Sequence, residues 1–313
     1  RREMAMADIV ICEFMDEAIA RQVLQAFDLL YDPSLVDDRA ALFEVLGDAR
    51  AIIVRNRTQF DAELLEHAPK LEAVGRLGVG LDNIDLELCK ARNVAVYPAA
   101  GANDLAVAEY VISAALSLLR GTWQASPDVI GGKWPRGTNI GREASGSRFG
   151  LIGFGSIARQ VAGRAVALGM QVSAYDPYLP DDDSAWSDVD TVSLQELAET
   201  SDVVSVHVPL TKETRNIIDA DFIERMKNDA ILINTARGGV VDEQALTAAL
   251  RSGQLGGAAL DVFASEPVDA EGGKSFAGIP NLMLTPHIAG ITEESNVRVS
   301  QLTAENVARH LRA

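Results

Sequence analysis

Three short motifs in the last third of the chain carry side chains that could do chemistry together. They are Asn234-Thr235-Ala236-Arg237-Gly238, Leu260-Asp261-Val262-Phe263-Ala264-Ser265-Glu266-Pro267 and Thr285-Pro286-His287-Ile288-Ala289-Gly290. Singly, Arg237 reads as a surface cation, Glu266 as a helix-end acid and His287 as a satisfied loop histidine. Jointly they supply what hydride transfer at a hydroxyl-bearing carbon beside a carboxylate requires. A base must take the hydroxyl proton, a cation must hold the carboxylate, and an acid must orient and charge the base. Imidazole titrates near neutrality, and an adjacent carboxylate stabilises its protonated form. The set is therefore expected to be catalytic.

A hydride needs a carrier, and the turn Gly153-Phe154-Gly155-Ser156-Ile157-Ala158 is suited to one. Gly153 permits the tight turn, Gly155 lets a pyrophosphate approach the backbone, and Ala158 allows close helix–strand packing. The pyrophosphate would meet the free N–H groups and positive end of the helix that follows. A bare pattern of this kind is weak, and its context decides. A strand precedes it, the helix Ile157–Leu168 follows, and the next strand ends at Asp176, 23 residues beyond Gly153. An acid at that distance reaches the ribose hydroxyls and repels a 2′-phosphate. No arginine follows Asp176 directly, so NAD is expected rather than NADP.

The elements that must position these groups alternate along the chain. Strands are expected at Ile9–Cys12, Ala51–Val54, Leu71–Gly75 and Val94–Tyr97, with helices such as Asp61–His67 and Asp85–Arg92 between them. A long helix, about Val107–Arg120, leads into an aperiodic tract from Gly121 to Ser147. Alternation restarts with strands at Arg148–Gly153, Gln171–Tyr175, Val203–Val208, Ala230–Thr235, Leu255–Val262 and Leu282–Thr285. Uninterrupted apolar strands alternating with helices mean parallel sheets covered on both faces. The closing helix, about Glu293–Arg312, could join either sheet. The catalytic motifs and the glycine turn fall at strand C-terminal ends, where such sheets place ligands. So do Arg55-Asn56-Arg57 and Arg76. Adjacent parallel strands put their ends side by side, so these arginines read as a cationic wall for a second anion, or as surface cations paired to acids.

At 313 residues two domains are expected. Hydrophobic residues at 48% and charged residues at 23% are globular values. The formal net charge of −17 repels nucleic acid and anionic lipid. It would repel an anionic substrate too, unless arginines gather locally. No apolar run reaches the roughly 20 residues of a membrane span. Arg1-Arg2-Glu3-Met4 reads as an appended stretch before a natural start at Met4 or Met6, without a signal peptide. Cys12 and Cys89 lie in apolar segments and read as buried thiols of a cytoplasmic protein. Asp181-Asp182-Asp183 reads as solvated loop, and no metal site is expected.

In these motifs the chain resembles the D-isomer-specific 2-hydroxyacid dehydrogenases, and among them the 3-phosphoglycerate dehydrogenases. The likeness extends over nearly the whole chain. It includes Gly78-Val79-Gly80-Leu81-Asp82-Asn83-Ile84-Asp85, Asn103–Glu109, Gly132-Lys133-Trp134-Pro135-Arg136, the glycine turn and His207-Val208-Pro209-Leu210-Thr211. The resemblance implies that Arg237 binds the carboxylate and polarises the C2 oxygen, that His287 is the acid/base, and that Glu266 pairs with it. It implies that the Val79 and Gly80 amides hold the carboxylate with Asn103 nearby, and that Asp261 holds the nicotinamide carboxamide. Ser156, Ile157, Pro209, Thr235, Ala236 and Gly290 would line the dinucleotide. Arg55 and Arg76 match arginines that approach a substrate phosphate, whereas Arg57 has no counterpart.

The same resemblance implies two doubly wound parallel α/β domains with a cleft between. One is a flavodoxin-like substrate domain (1–102 plus 290–313), the other a Rossmann NAD-binding domain (103–289). It further implies a homodimer acting on a small anionic substrate. Enzymes of serine synthesis often carry a further C-terminal domain, and their histidine motif commonly continues Gly-Ala-Ser rather than Ile288-Ala289-Gly290-Ile291. Both departures bear on which hydroxy acid is used: one with a second anion on C3, of the 3-phosphoglycerate or 3-sulfolactate type, or a glyoxylate/hydroxypyruvate-type substrate. A formate enzyme would place Gln at Glu266, and the acidic surface and lack of disordered tails argue against an NAD-sensing co-repressor-like module.

Overall fold

Short runs of Val, Ile, Leu and Ala, too apolar to leave one face in water, form two separate parallel sheets. The computed structural model describes residues 7–121, 125–180, 182–187, 189–279 and 281–313. The start at Arg1 to Met6 and Asp181 of the acidic run lie outside them. The chain divides into two compact units, Arg1–Asn103 with Ile291–Ala313, and Asp104–Gly290.

In the first unit the order is β1 (Ile9–Ile11), α1 (Glu17–Val23), β2 (Leu29–Tyr31), α2 (Arg39–Leu46), β3 (Ala51–Val54), α3 (Ala62–His67), β4 (Ala73–Arg76), α4 (Leu86–Ala91) and β5 (Ala95–Pro98). The sheet runs β2-β1-β3-β4-β5 with every pair parallel, the flavodoxin-like order. Alternate residues feed two cores. Val10, Ile52, Val54 and Val74 enter one, while Ile9, Ile11, Ala51, Ile53 and Ala73 enter the other.

The second unit comprises α5 (Asp104–Arg120), α6 (Ala125–Ile130), β6 (Arg148–Ile152), α7 (Ser156–Ala167), β7 (Gln171–Tyr175), β8 (Asp190–Thr191), α8 (Leu194–Thr200), β9 (Val203–Val206), α9 (Ala220–Arg225), β10 (Ile231–Asn234), α10 (Glu243–Ser252), β11 (Gly257–Leu260) and β12 (Leu282–Leu284). Its sheet runs β12-β11-β10-β9-β6-β7-β8, again all parallel. It grows from β6 in both directions, which is Rossmann topology with the switch point between β6 and β9. Phe149 and Leu151 pack with α5 and α7, while Val204, Val206 and Leu232 pack with α8 to α10.

The helix α11 (Glu293–Arg312) belongs to the first unit, packing on α1 and β4. A Cβ at Gly75 would stand 2.8 Å from Thr303 and Val307 of this helix, so β4 needs glycine where α11 crosses it. Aspartates open many of the helices. Asp16, Asp38, Asp61, Asp85, Asp219 and Asp242 each accept a first-turn N–H at the positive end of the helix dipole. Part of the negative charge is thus used in building the fold. Three details differ from the sequence expectation. Edge strands β2 and β8 appear, α6 lies within the tract from Gly121 to Ser147, and the long helix starts at Asp104 rather than Val107.

Candidate active site

The glycine turn stands at the switch point of the second sheet. Gly153 has φ +85°, and a Cβ there would lie 2.6 Å from the His207 carbonyl oxygen, so only glycine fits between β6 and the end of β9. Gly155 caps α7 with no side chain bonded to the helix start, and space opens where its Cβ would be. The first N–H groups of Ser156 and Ile157 are left for an incoming anion. Asp176 follows β7 and folds back on this turn, Oδ2 accepting from Phe154 N at 2.8 Å and Oδ1 from Tyr178 N at 3.0 Å. Thr235 Oγ1, just past β10, is buried with no hydrogen-bond partner. An open, uncapped helix start, an acid beside it and an orphaned hydroxyl together fit a dinucleotide.

The three motifs follow β10, β11 and β12, neighbours in the sheet. Asn234 shapes the first turn, accepting from Ala236 N at 3.0 Å and donating to the Arg237 carbonyl at 2.9 Å. The Arg237 guanidinium donates to the Ala236 carbonyl at 2.6 Å. Glu266 Oε2 lies 2.8 Å from His287 Nδ1, and its Oε1 accepts from Phe263 N at 2.9 Å. Burial pushes the Glu266 carboxyl up. The hydrogen bonds from His287 and Phe263, with the charges of His287 and Arg237, outweigh it and hold the group below its ordinary value. The same set shows Arg237 within electrostatic reach of the pair.

His287 sits in a left-handed conformation, φ +57°, which few residues adopt without support. Its N–H bonds the carbonyls of Asp261 and Thr285 at 2.9 and 3.0 Å. Asp261 is 1% exposed, and its carboxylate accepts from Thr285 Oγ1 at 2.6 Å and from the N–H groups of Ile288 and Ala289 at 2.8 Å each. Tyr110 of α5 reaches the same Thr285 hydroxyl at 2.5 Å. Beside this network Glu243, at the start of α10, accepts from Ala264 N at 2.6 Å. Burial raises its carboxyl, and the charges of Glu266 and Asp242 add to the rise against that hydrogen bond.

In the first unit, Val54 and Arg76 are in register across β3 and β4, so Arg55 follows the end of β3 beside Arg76, the last residue of β4. The Arg55 guanidinium donates to the Phe14 carbonyl at 3.1 Å and to Asn296 Oδ1 at 3.4 Å. Burial lowers its pKa against the opposing effect of Glu13. Arg76 Nη1 donates to the Leu77 carbonyl at 2.8 Å. Arg57 diverges: its exposed guanidinium pairs with Asp37, which accounts for the cation the motifs did not assign. Val79 is exposed on the loop after β4, and the Asn103 side-chain oxygen is buried without a partner.

Sequence reasoning missed Tyr110, Glu243 and Glu13. The Glu13 carboxylate is buried and accepts from the N–H groups of Arg55, Arg57 and Thr58 at 2.8, 3.3 and 2.9 Å. A lone acid directly after the apolar strand β1 was the available signal. Tyr110 had none, being one polar ring in an amphipathic helix.

Known proteins resemble this chain in sequence and fold. Residues 112–289 match the family model described as D-isomer specific 2-hydroxyacid dehydrogenase, NAD binding domain. The (S)-sulfolactate dehydrogenase of Chromohalobacter salexigens is 51% identical over 307 residues, 98% of this chain and 99% of that one. The D-3-phosphoglycerate dehydrogenase of Archaeoglobus fulgidus is 39% identical over 86% of this chain but only 51% of its own, so the chain spans about half of that relative. The crystal structure of D-lactate dehydrogenase from Aquifex aeolicus, complexed with NAD and lactic acid, superposes with a TM-score of 0.84. It is 30% identical and covers 97% of this chain and 95% of that one.

Proposed function

We propose, because this chain belongs to the D-isomer specific 2-hydroxyacid dehydrogenase family, that it interconverts 3-sulfolactate and 3-sulfopyruvate. The chain is an NAD-dependent oxidoreductase of the CH–OH group of 2-hydroxy acids, the EC 1.1.1 type. The observation that carries the substrate reading is the placement of two arginines at adjacent strand ends, Arg55 just past β3 and Arg76 closing β4, where a second anion on C3 would meet positive charge. The relative named for sulfolactate, matched from end to end, supports it. The half-length match to a phosphoglycerate dehydrogenase favours a second reading, 3-phosphoglycerate, with the same charge pattern.

In this reading Arg237 grips the C2 carboxylate and polarises the C2 oxygen. By the resemblance, the amides of Val79 and Gly80, with Asn103, would also bind the substrate. A carboxylate only accepts, so Glu266 fixes the proton of His287 on Nδ1 and leaves Nε2 for transfer. His287 gives its Nε2 proton to the C2 oxygen in reduction and takes it back in oxidation. When bound, the cofactor would supply the hydride as NADH in reduction and receive it as NAD in oxidation. Gly153, Gly155, Ser156 and Ile157 hold its pyrophosphate and Asp176 its ribose. Asp261, Pro209, Thr235, Ala236 and Gly290 stand along the rest.

Two coarser expectations extend this reading. Cys12 and Cys89 are buried free thiols, Cys12 pushed up to about 12 by burial, which supports a reducing cytoplasm. Among the described residues no helix is long and apolar enough to cross a membrane. Exposed Val129, Ile130, Trp134 and Ile140 on and after α6 support a homodimer formed through the second unit. The function is tested by following NADH absorbance with 3-sulfopyruvate, 3-phosphohydroxypyruvate, hydroxypyruvate, glyoxylate and pyruvate. The highest kcat/KM is expected on 3-sulfopyruvate. Preference for a keto acid with an uncharged C3 group would overturn the substrate, and inactivity on all five would overturn the reading.

A further inference from the structure

We infer that Tyr110 is a positioning residue for the proton transfer, acting through Thr285 and Asp261 on the loop that carries His287. The inference rests on reading His287 as the proton-transfer residue.

The direction of each hydrogen bond follows from the chemistry of its partners. Asp261 is a buried carboxylate whose oxygens accept from two backbone N–H groups, those of Ile288 and Ala289. Thr285 Oγ1 donates its single proton to Asp261 Oδ1 at 2.6 Å. The hydroxyl therefore has only lone pairs to offer Tyr110, 2.5 Å away, so Tyr110 must donate. The order is Tyr110 O–H to Thr285 O–H to Asp261, a polarised chain ending on a negative charge. Burial and the charge of Asp261 both raise the Tyr110 phenol, so it stays protonated and able to donate.

What the chain holds is the loop from Thr285 to Ala289. That segment places His287 at φ +57°, a conformation costly enough to need bonds on either side. The bonds lie two residues before it, at Thr285, and directly after it, at Ile288 and Ala289, and all converge on one carboxylate. Tyr110 ties that cluster to α5, the longest helix of the second unit. α5 opens at Asp104, where the chain enters this unit, and the loop ends next to Gly290, where it leaves. One phenol thus joins the entry helix to the exit loop and steadies the imidazole between Thr285 and Ile288. Proton transfer tolerates little misplacement, so loosening the loop should lower turnover and spare cofactor affinity.

The test uses Tyr110→Phe, Thr285→Val, their double variant and Thr285→Ser in the full chain. For each, kcat and KM are measured with 3-sulfopyruvate and with glyoxylate, and the NADH dissociation constant by fluorescence. Tyr110→Phe and Thr285→Val should each lower kcat about tenfold, the size of one lost hydrogen bond to a charged network. NADH affinity should stay within about twofold, and Thr285→Ser should keep most activity because the hydroxyl remains. The double variant should lose little more than Thr285→Val, because both remove the same chain. Unchanged kcat in Tyr110→Phe, losses that multiply in the double variant, or a loss confined to NADH affinity would each overturn the inference. A wild-type enzyme that reduces neither keto acid would instead overturn the functional reading beneath it.

Discussion

Nδ1 of His287 stands 2.8 Å from Oε2 of Glu266, and both residues hang on loops pinned by backbone hydrogen bonds. Glu266 is fixed through its second oxygen to Phe263 N, so the carboxylate cannot swing away from the imidazole without breaking that bond. The pair is therefore held in place by the protein's own hydrogen bonds. Preorganisation of this kind is what makes a histidine an efficient general acid.

Replacing His287 with Asn removes the transferable proton while suiting the backbone, since Asn tolerates the left-handed φ of +57° better than most residues. Turnover should fall roughly 10²–10⁴-fold. NADH affinity, measured by fluorescence titration, should hold within about twofold. A His287→Asn enzyme with wild-type kcat would remove the residue from the mechanism.

Glu266→Gln keeps the shape and removes the charge. Glu266 is held below its ordinary value, so it remains ionised as pH falls until below the usual carboxylate range. Throughout the neutral range its negative charge therefore stands against the imidazole of His287. With Gln that charge is gone, and the pH profile of reduction should shift. Rate profiles that superpose would mean the pair does not operate in catalysis.

Much of this was legible in local pattern. The glycine turn, Asp176 and the motifs around Arg237, Glu266 and His287 are marked by residue types over short spans, and strands such as Ala51–Val54 and Gln171–Tyr175 coincide with their expected limits. What was missed depends on distant partners. The edge strand Leu29–Tyr31 is only half-buried, and Asp190–Thr191 is two polar residues long, so neither has a run to recognise. Tyr110 meets Thr285 across 175 residues, a contact no spacing encodes. Arg57 reads in sequence as either a substrate contact or a cation paired to an acid, and only the fold shows Asp37, twenty residues earlier, taking it.

Asp176 both braces the glycine turn and faces the cofactor's ribose in the reading above. Asp176→Ser should weaken NAD binding and lower the NAD:NADP ratio of kcat/KM roughly tenfold or more, because the repulsion of a 2′-phosphate goes with the charge. An unchanged ratio would show that this carboxylate does not read the ribose.

Asp202 is a stability element of the second unit, 9% exposed and bonded to Arg142, Lys227 and Arg148 N at 2.7, 2.6 and 2.9 Å. Burial pushes its carboxyl up, but these hydrogen bonds and charges hold it below the ordinary value. A depressed folded value means stabilisation that is full above the unfolded pKa of about 3.9 and is lost as pH falls through the folded value. Asp202→Asn should cost about 2 kcal/mol at pH 7, discounted for the two partly exposed cations. Urea unfolding should show that gap narrowing below about pH 4, and a gap constant with pH would assign it to packing.

The last prediction concerns the far end of the substrate. Arg55 is held by the Phe14 carbonyl and by Asn296 of α11, and its own N–H is bonded to the buried Glu13 carboxylate, so the guanidinium is fixed in place. Arg57 is spent on Asp37, and in a chain with net charge −17 the cations that remain near strand ends are few. A charge-assisted contact is worth roughly 1.5–3 kcal/mol, or about ten- to 150-fold in kcat/KM. Arg55→Ala should lose that much on 3-sulfopyruvate and little on pyruvate or glyoxylate, with Arg57→Ala near wild type on all three. Pyruvate and 3-sulfopyruvate differ only at C3, so this pair isolates the distal anion from the C2 carboxylate assigned to Arg237 in the reading above. Equal losses on charged and uncharged C3 groups would remove Arg55 from substrate recognition and return it to a structural tie between the first strands and α11.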